Sequence, residues 1–594
     1  MSALPTPAPP VTAETAPFWR AAANGEFVLP RCTRCRRFIW YPREFCPHCG
    51  AGEVDWQPVS GRGRIYSVTV VRRAPHPDYA DAVPYCVAVV ELDEGVRLLT
   101  NIVSSDLDAP AIGQPVEAIF DPVDDERAIV RFRPVPAGRE GPIVNKVCSM
   151  EEAMAGVRDG AVVAIGGFGI KHSFPVSLLL ALRDQGAKGL TLVANSLGTG
   201  ERSAEALIDN GQVSRLIVSF SARAGMDSLA ERLIASGQIE LELVPQGILV
   251  ERLRAAGAGL PAFYSPTGVG TPLTAGKERR TFNGREYVLE EALPVDYALL
   301  RSHRADRFGN VEFRGASENF NPAFGKGAQV TIIEADEIVE PGEIDPQRVG
   351  LPGVFVTHVV PSTLRVVPDF LDVRRRPSTT RRTYLDKPGY SRGEMAARVA
   401  REIGDGSYVN LGAGMPSLVA AELEGRDVFL HAENGVLGYD RPVASPDDVD
   451  PDLFDAAGGF VHARPGMAFF DSVTSFEIAR SGKLDFVVLG GYQVDAEANL
   501  ANWSNPNQVG GGVGGAMDLV TRARTLVVMM EHCDRSGTPK LVASCTYPLT
   551  GLHCVDVVVT DLGLFRHQDG RWRLDEIAPG FTADEIFSLT GLPR

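Results

Sequence analysis

Hydrophobic residues recur along this chain in two rhythms. Up to about residue 140 they form short apolar or alternating runs: GRIYSVTVVRR, PYCVAVVELDEG, VRLLTNIVS, PVEAIFDPV and AIVRFRPV. Turn residues part them about every ten positions. A short helical stretch, PFWRAAANGEF, precedes them, and no long helical pattern interrupts them. Strands so spaced predict a small all-β barrel. Farther on, helical patterns alternate with short apolar strands such as GAVVAIGGF, GLTLVAN, SRLIVSF and QVTIIEADEI. That alternation predicts α/β layers around a largely parallel sheet.

The α/β part reads as a duplication. Asp159-Gly160-AVVAI-Gly166 matches Asp405-Gly406-SYVNL-Gly412, and a helical run precedes each (SMEEAMAGVR and GEMAARVAREIG). Later, VDYALLRSHRADRFGNV matches LDFVVLGGYQVDAEANL, pairing Asp296 with Asp485 and Asn310 with Asn499. The first copy holds extra residues between these points, for which LPAFYSPTGVGTPLTAGKERRTFNGREYVLE is the candidate insertion. Two related halves with unequal decorations commonly form a site at their interface. The expected boundaries are 15–138 for the β part, 143–365 and 391–594 for the α/β halves, and 366–390 for a polar, basic, proline-containing linker. The linker arginines could meet phosphates, but a solvated linker is the favoured reading.

Charge narrows the partners. Lys plus Arg number 59 against 75 Asp plus Glu, a net −16, which argues against nucleic acid and against a polybasic membrane contact. It leaves room for an anionic small molecule, because a phosphate site needs only local donors. No apolar run reaches the roughly 18 residues of a membrane span. The opening MSALPTPAPPVTAETAP lacks the charged and apolar regions of a secretory signal, so a cytoplasmic location is expected.

Four of the nine cysteines are clustered. Cys32-Thr-Arg-Cys35 and Cys46-Pro-His-Cys49 are paired C-x-x-C knuckles. A two-residue gap lets both thiolates of a knuckle reach one ion, and two knuckles complete a tetrahedral zinc site. Four thiolates leave no open position, so the expected zinc is structural. Redox-active thiols fit the matched knuckles less well.

Candidate chemistry sits in the α/β halves. Gly166-Gly167-Phe168-Gly169 and Asn410-Leu-Gly412-Ala-Gly414 end strands, where glycine permits close backbone approach to a ligand. A third loop, Gly510 to Gly515, sheds side-chain bulk at most positions, at a cost in chain entropy that suggests function. In VFLHAENGVLGYD an apolar strand delivers Glu433, and Asn434-Gly435 turns the chain. A carboxylate at a strand's carboxyl end stands where open α/β sheets place their sites. Taken alone, a surface acid beside a turn is the simpler reading.

From about 143 to 594 the chain resembles class I CoA-transferases with fused α and β subunits, similar in pattern to the 3-oxoacid and 3-oxoadipate types. The carrying residues are DGAVVAIGGFG, LELVPQGILVERLRAAGAGLPAFYSPTGVGT, ADRFGN and NFNPAF in the first half, then NLGAGMP, ENGVLG, LANW, GGAMDLV, EHC and CTYPLTG in the second. The N-terminal ribbon and strands resemble the zinc-ribbon plus OB-fold domains that accompany acyl-CoA enzymes. The resemblance implies a zinc ribbon and OB-fold barrel followed by two homologous α/β CoA-transferase domains. It implies a ping-pong transfer of CoA from an acyl-CoA to a carboxylic acid, 3-oxo or dicarboxylic, with Glu433 as nucleophile. Gln246 and the backbone of Gly515 would lie near the thioester carbonyl. Gly166, Gly167, Phe168, Asn195, Asn410, Gly412, Gly414, Asn434 and Gly514 would contact substrate or CoA. Coenzyme A enters as substrate, zinc as the structural metal. A homo-oligomer and a thiolase-like partner on the OB-fold domain are the implied associations.

Departures from the family pattern bear on the acid. GGFGIKHSFP replaces a usual GGFGLCGIP, and Gly511 stands where lysine is common. Lys171 and His172 could recognise a second carboxylate; a solvated loop is the equal alternative. Ser317-Glu318-Asn319 also reads S-E-N, but it aligns with the family's NFNP segment, so Glu318 is read as non-catalytic. The competing function is a CoA thioester or ring-opening hydrolase of the same fold.

Overall fold

The computed structural model describes residues 4–104, 110–135, 144–221, 228–370, 379–506 and 508–593. The chain divides into two compact units, Met1–Ile143 and Val144–Arg594.

In the first unit, helix Ala16–Ala23 leads into an antiparallel pair, Val28–Cys32 with Val54–Pro58, which carries the cysteine knuckles. Five strands then close a barrel in the order Arg62–Val71, Tyr85–Leu92, Arg97–Ile102, Arg127–Pro134, Pro115–Asp124. Inward positions alternate along Tyr85–Leu92, and Ala88, Val90, Leu98, Ile102 and Phe132 fill the interior beneath Phe18 and Phe27. One interior pair is polar. Arg131 is buried against Asp121, and its guanidinium also donates to the carbonyls of Leu4 and Pro5. The N-terminal arm thereby supplies two of the acceptors that a buried charge demands.

The second unit contains two large sheets and smaller ones beside them. In the first, seven parallel strands run in the order Glu240–Leu243, Val213–Phe220, Leu190–Ser196, Val162–Ile165, Val295–Asp306, Ala328–Val339, His358–Pro361. In the second, parallel strands Phe429–Ala432, Tyr408–Leu411, Phe486–Gly490, Thr525–Met529 and Val557–Val559 are flanked by antiparallel strands on both edges. One apolar core runs through both halves, with Phe320 and Phe324 of the first and Phe454 and Phe476 of the second.

The duplication holds down to single bonds. Asp296 accepts from the Val162 amide at 2.8 Å, and Asp485 accepts from the Tyr408 amide at 2.9 Å. Asn310 closes a turn onto Asp306 as Asn499 does onto Asp495. The candidate insertion forms its own three-stranded antiparallel sheet, Ala262–Ser265, Arg285–Glu291 and Arg279–Phe282.

The expected solvated linker needs correction. Its middle, 371–378, lies outside the described residues, but Arg381–Tyr384 and Lys387–Ser391 form an antiparallel hairpin. Tyr384 donates to the Asp561 carboxylate at 2.8 Å, the Tyr390 amide donates to the Asp561 carbonyl at 2.7 Å, and Arg382 donates to the carbonyls of Cys533 and Asp534. A polar, arginine-rich segment looks like linker in sequence because its partners lie some 150–180 residues farther along the chain.

Candidate active site and metal centre

Strand Phe429–Ala432 ends at the residue before Glu433. The Asn434-Gly435 turn then reverses the chain into the antiparallel strand Val436–Tyr439. Gly435 has φ +97°, and a Cβ there would fall 1.8 Å from the Phe470 carbonyl, so only glycine fits the turn. Asn434 is fully buried and donates to the Phe454 carbonyl at 2.8 Å. It secures the turn and is not among the residues that line the cavity beside Glu433.

Glu433 faces a cavity of about 1240 Å³. Around it stand Gly412 to Met415, Phe220, Leu489 and Gly512 to Ala516. Farther along the wall are Thr380, Arg382, Tyr390, Arg392, Arg535 and Lys540, with Glu531 and Asp534 among them. Arg392 and Arg535 are exposed and mark the opening. Glu433 is half-buried by direct solvent contact because it borders the cavity, yet protein surrounds it. That burial, reinforced by the nearby Asp455 charge, raises its carboxyl above the ordinary range; its backbone hydrogen bond and the Asn410 amide pull the other way. Asn410 donates to Glu433 Oε2 at 3.2 Å from the adjacent parallel strand.

The third glycine loop crosses between halves. Its residue Gly512 bridges to Phe220, the Ser221 amide donates to Gly511, and the Gln246 amide donates to Gly514 at 2.9 Å. Close packing explains the missing bulk. A Cβ at Gly511 would meet the Trp503 carbonyl at 2.9 Å, and one at Gly514 the Phe220 ring at 2.7 Å. Lysine has no room at Gly511 in this packing. Gln246 opens the helix Gln246–Gly257 and lies behind Gly515, whose Cβ would come 3.0 Å from Gln246 Oε1. Asp518 holds that helix start, accepting from the Gly247 amide and Thr267 at 3.0 Å each, while Arg480 bridges Asp518 to Glu251. Gln246 Nε2 donates to Asn195 Oδ1 at 2.7 Å, leaving Gln246 Oε1 and Asn195 Nδ2 buried without partners. Exchanging nitrogen and oxygen in both amides keeps their bond and turns the Gln246 atom beside Gly515 into a donor.

Not every expected residue reaches the cavity. Gly412, Gly414, Gly514 and Gly515 line it with Glu433; Asn410, Gln246 and Asn195 stand behind that wall. The first glycine loop is packed instead. Gly166 makes space for Asn321 and Gly167 for the Phe174 ring, while Phe168 stacks on Phe320 in the core. His172 is no carboxylate receptor. It is buried, stacked on Phe454 with ring centres 3.9 Å apart and bonded to Gly458 O at 3.0 Å, and burial lowers its pKa to about 4, so it is neutral. Sequence reasoning weighed the linker arginines and set them aside, and it missed Lys540 and Phe220, which no local pattern marks. It also missed His431, whose signal was present: it precedes Glu433 by two positions and so shares its strand face.

In the first unit, the four cysteine sulfurs lie within 4.8 Å of one another, with Cys32–Cys49 and Cys35–Cys46 each 3.6 Å apart. Thiolates bound tetrahedrally to zinc at about 2.3 Å stand about 3.7 Å apart, so the cluster fits the ion. No helix among the described residues is long and apolar enough to cross a membrane.

Comparison with known proteins agrees with this geometry. Residues 19–55 match the ChsH2 rubredoxin-like zinc ribbon domain, and 56–121 match the ChsH2 C-terminal OB-fold domain. A mouse mitochondrial succinyl-CoA:3-ketoacid coenzyme A transferase 2B is 38% identical over 466 residues, covering 74% of this chain and 87% of that protein. One of the subunits of the Pseudomonas putida 3-oxoadipate CoA-transferase is 43% identical over 219 residues, covering 37% of this chain and 94% of its own length. An acyl-CoA transferase from Escherichia coli O157:H7 shares the fold at a TM-score of 0.61 and 20% identity, over 75% of this chain and 92% of that one. The coenzyme A transferase model matches residues 147–362 and 392–589, and with most of its length so matched this chain belongs to the coenzyme A transferase family.

Proposed function

We propose that this CoA-transferase works through a thioester between CoA and Glu433. The observation that carries the reading is the position of Glu433, whose carboxylate stands amid glycine backbone and borders a cavity of about 1240 Å³. Held in place and partly desolvated, it attacks the thioester carbonyl of an acyl-CoA. The C–S bond breaks, giving a mixed anhydride and CoA thiolate. The thiolate attacks the Glu433 carbonyl, and the first acid leaves as carboxylate. A second carboxylate then runs both steps in reverse and departs as the new acyl-CoA. Each tetrahedral stage carries an oxyanion, for which the Gly515 amide and the Gln246 side chain are suited donors.

The acceptor we assign is a 3-oxo acid, the class in the names of the mouse and Pseudomonas relatives. Of the two residues that could recognise a second carboxylate, Lys171 and His172, the buried, neutral His172 gives no support. Arg392, Arg535, Arg382 and Lys540 suit the CoA phosphates at the open end of the cavity, in a chain otherwise strongly acidic. The ribbon and barrel fit a scaffolding role toward a thiolase-like partner, so a chain without residues 1–143 should keep its transfer rate.

Steady-state kinetics with acyl-CoA and acid varied together test the mechanism. Parallel double-reciprocal lines are expected, as is a borohydride-reducible CoA adduct on the Glu433 peptide. Intersecting lines, with CoA released to water in the absence of any acid, would establish the hydrolase instead.

A further inference from the structure

We propose that His431 is a positioning residue for Glu433, acting through Asn410; this rests on Glu433 being the nucleophile. The geometry is a closed relay. Asn410 and His431 are register partners on adjacent parallel strands. Asn410 Nδ2 lies 3.2 Å from Glu433 Oε2 and 3.1 Å from His431 Nδ1, and His431 Nε2 lies 2.9 Å from Ser475 Oγ. Ser475 Oγ in turn lies 3.2 Å from the Ala432 carbonyl.

Every donor in this relay is determined by the next group. A backbone carbonyl only accepts, so Ser475 donates to Ala432. Its oxygen then accepts from His431 Nε2–H. Burial lowers the His431 pKa to about 4, so the ring is neutral and Nδ1 must accept. Only the amide nitrogen of Asn410 can serve that acceptor, and the same nitrogen faces the Glu433 carboxylate. The same nitrogen also donates to the His431 carbonyl at 3.3 Å, so loss of the Nδ1 acceptor removes one of the two His431 groups that hold the amide with its nitrogen toward Glu433.

The neighbouring cases show that burial alone does not produce this arrangement. His172 and His532 are equally buried and equally lowered to about 4, yet each leaves one ring nitrogen without a partner, Nδ1 and Nε2 respectively. Both nitrogens of His431 are engaged. Its ring also lies parallel to Phe470, next to the chain that closes over Gly435.

The test is a double-mutant cycle on the full chain. His431→Phe keeps a ring and removes the acceptor. It should cut the rate of enzyme–CoA thioester formation about tenfold or more, as expected for a displaced nucleophile, while the KM for acyl-CoA stays within about twofold. The acid limb of kcat/KM should move to higher pH, because Glu433 loses the amide hydrogen bond that lowers its pKa. Asp455 and Tyr439, the other titratable groups facing Glu433, are untouched in these variants. Asn410→Ala should act alike, and the double variant should be no worse than Asn410→Ala. His431→Gln, with an amide acceptor, should recover most of the rate. Should His431→Phe fail to fold, Ser475→Ala removes the acceptor of Nε2–H and should shift the same limb by less. Additive losses, or an unmoved acid limb in variants that fold, would overturn the proposal. A wild type that forms no borohydride-reducible adduct would instead overturn the nucleophile reading beneath it.

Discussion

The two glycine loops that close matching strands in the two halves share a frame and differ in what fills it. In each half an aspartate accepts the first amide of the strand: Asp296 from Val162, Asp485 from Tyr408. The glycine at each strand's end donates to the neighbouring parallel strand, Gly166 to Leu299 at 2.9 Å and Gly412 to Val488 at 2.8 Å. Beyond that point they part. In the first half Asn321 and the Phe174 ring occupy the space above Gly166 and Gly167. In the second half a Cβ at Gly412 would meet Leu489 at 3.0 Å and the Val488 carbonyl at 3.1 Å, but nothing stands within 4 Å of a Cβ at Gly414, which lines the cavity. A backbone frame can therefore be kept twice while only one copy keeps room for a substrate.

The sharpest break of that comparison is at the carboxylates. Glu433→Ala and Glu433→Gln should each lower transfer by at least about a thousandfold, since other acids of the wall are held elsewhere, Glu531 by Arg392 and Asp561 by Tyr384. Glu318→Gln should retain most activity. Burial beside Asp471 raises Glu318 to about 7, but its side chain lies toward Gly350 and does not line the cavity. Loss of transfer in Glu318→Gln with native stability would erase the asymmetry between the halves.

Next in size is the packed loop. A Cβ at Gly166 would meet Asn321 Oδ1 at 2.1 Å. Gly166→Ala should cost about 1–3 kcal/mol of unfolding free energy in denaturant titration, as overpacking does, with the KM for acyl-CoA unchanged. A raised KM without lost stability would return the first loop to the active site.

The neutral His172 gives a pH-dependent test of comparable or smaller size. The unfolded chain binds a proton there near pH 6.5, whereas burial holds the folded residue to about 4. Between those values the unfolded state takes up the extra proton, so wild type loses stability as pH falls. His172→Phe lacks the group. Its stability relative to wild type should improve by up to about 3 kcal/mol from pH 7 to 4, read by chemical unfolding at each pH. A gap independent of pH would mean that folded His172 binds its proton as readily as unfolded His172 does.

The smallest effect is at the opening of the cavity. Arg535→Ala should raise the KM for acyl-CoA about two- to fivefold, an exposed charge being worth little. The KM for the corresponding acyl-pantetheine, which lacks the nucleotide phosphates, should not change. Equal changes for both would place the phosphates elsewhere.

The sequence disclosed what depends on local order and little of what depends on return contacts. The cysteine knuckles, the five barrel strands, Glu433 before its turn and the Asp296–Asp485 correspondence could all be read because each rests on spacing within a few residues or on repetition. Glycine loops were legible as loops but not as occupied or empty, because Phe174 and Asn321 enter from elsewhere. His172 looked like a receptor because its cover, Phe454 and Gly458, arrives some 280 residues later. Arg131 looked like an ordinary strand residue until the N-terminal arm and Asp121 supplied its acceptors.

The docked hairpin Arg381–Ser391 bears on how such an enzyme could be divided into two polypeptides. The Pseudomonas relative is a separate polypeptide that aligns over 37% of this chain. A division of this chain at the same seam is not free to fall anywhere between the halves. Arg382 and Arg392 belong to the cavity wall, and Tyr384 and Tyr390 hold that wall to Asp561. Placed before residue 379, the break gives the second polypeptide the whole hairpin and leaves Phe220 as the first polypeptide's part of the wall. Placed at the exposed Leu385-Asp386 turn, it would split the hairpin and part Arg382 from Arg392, Arg535 and Lys540.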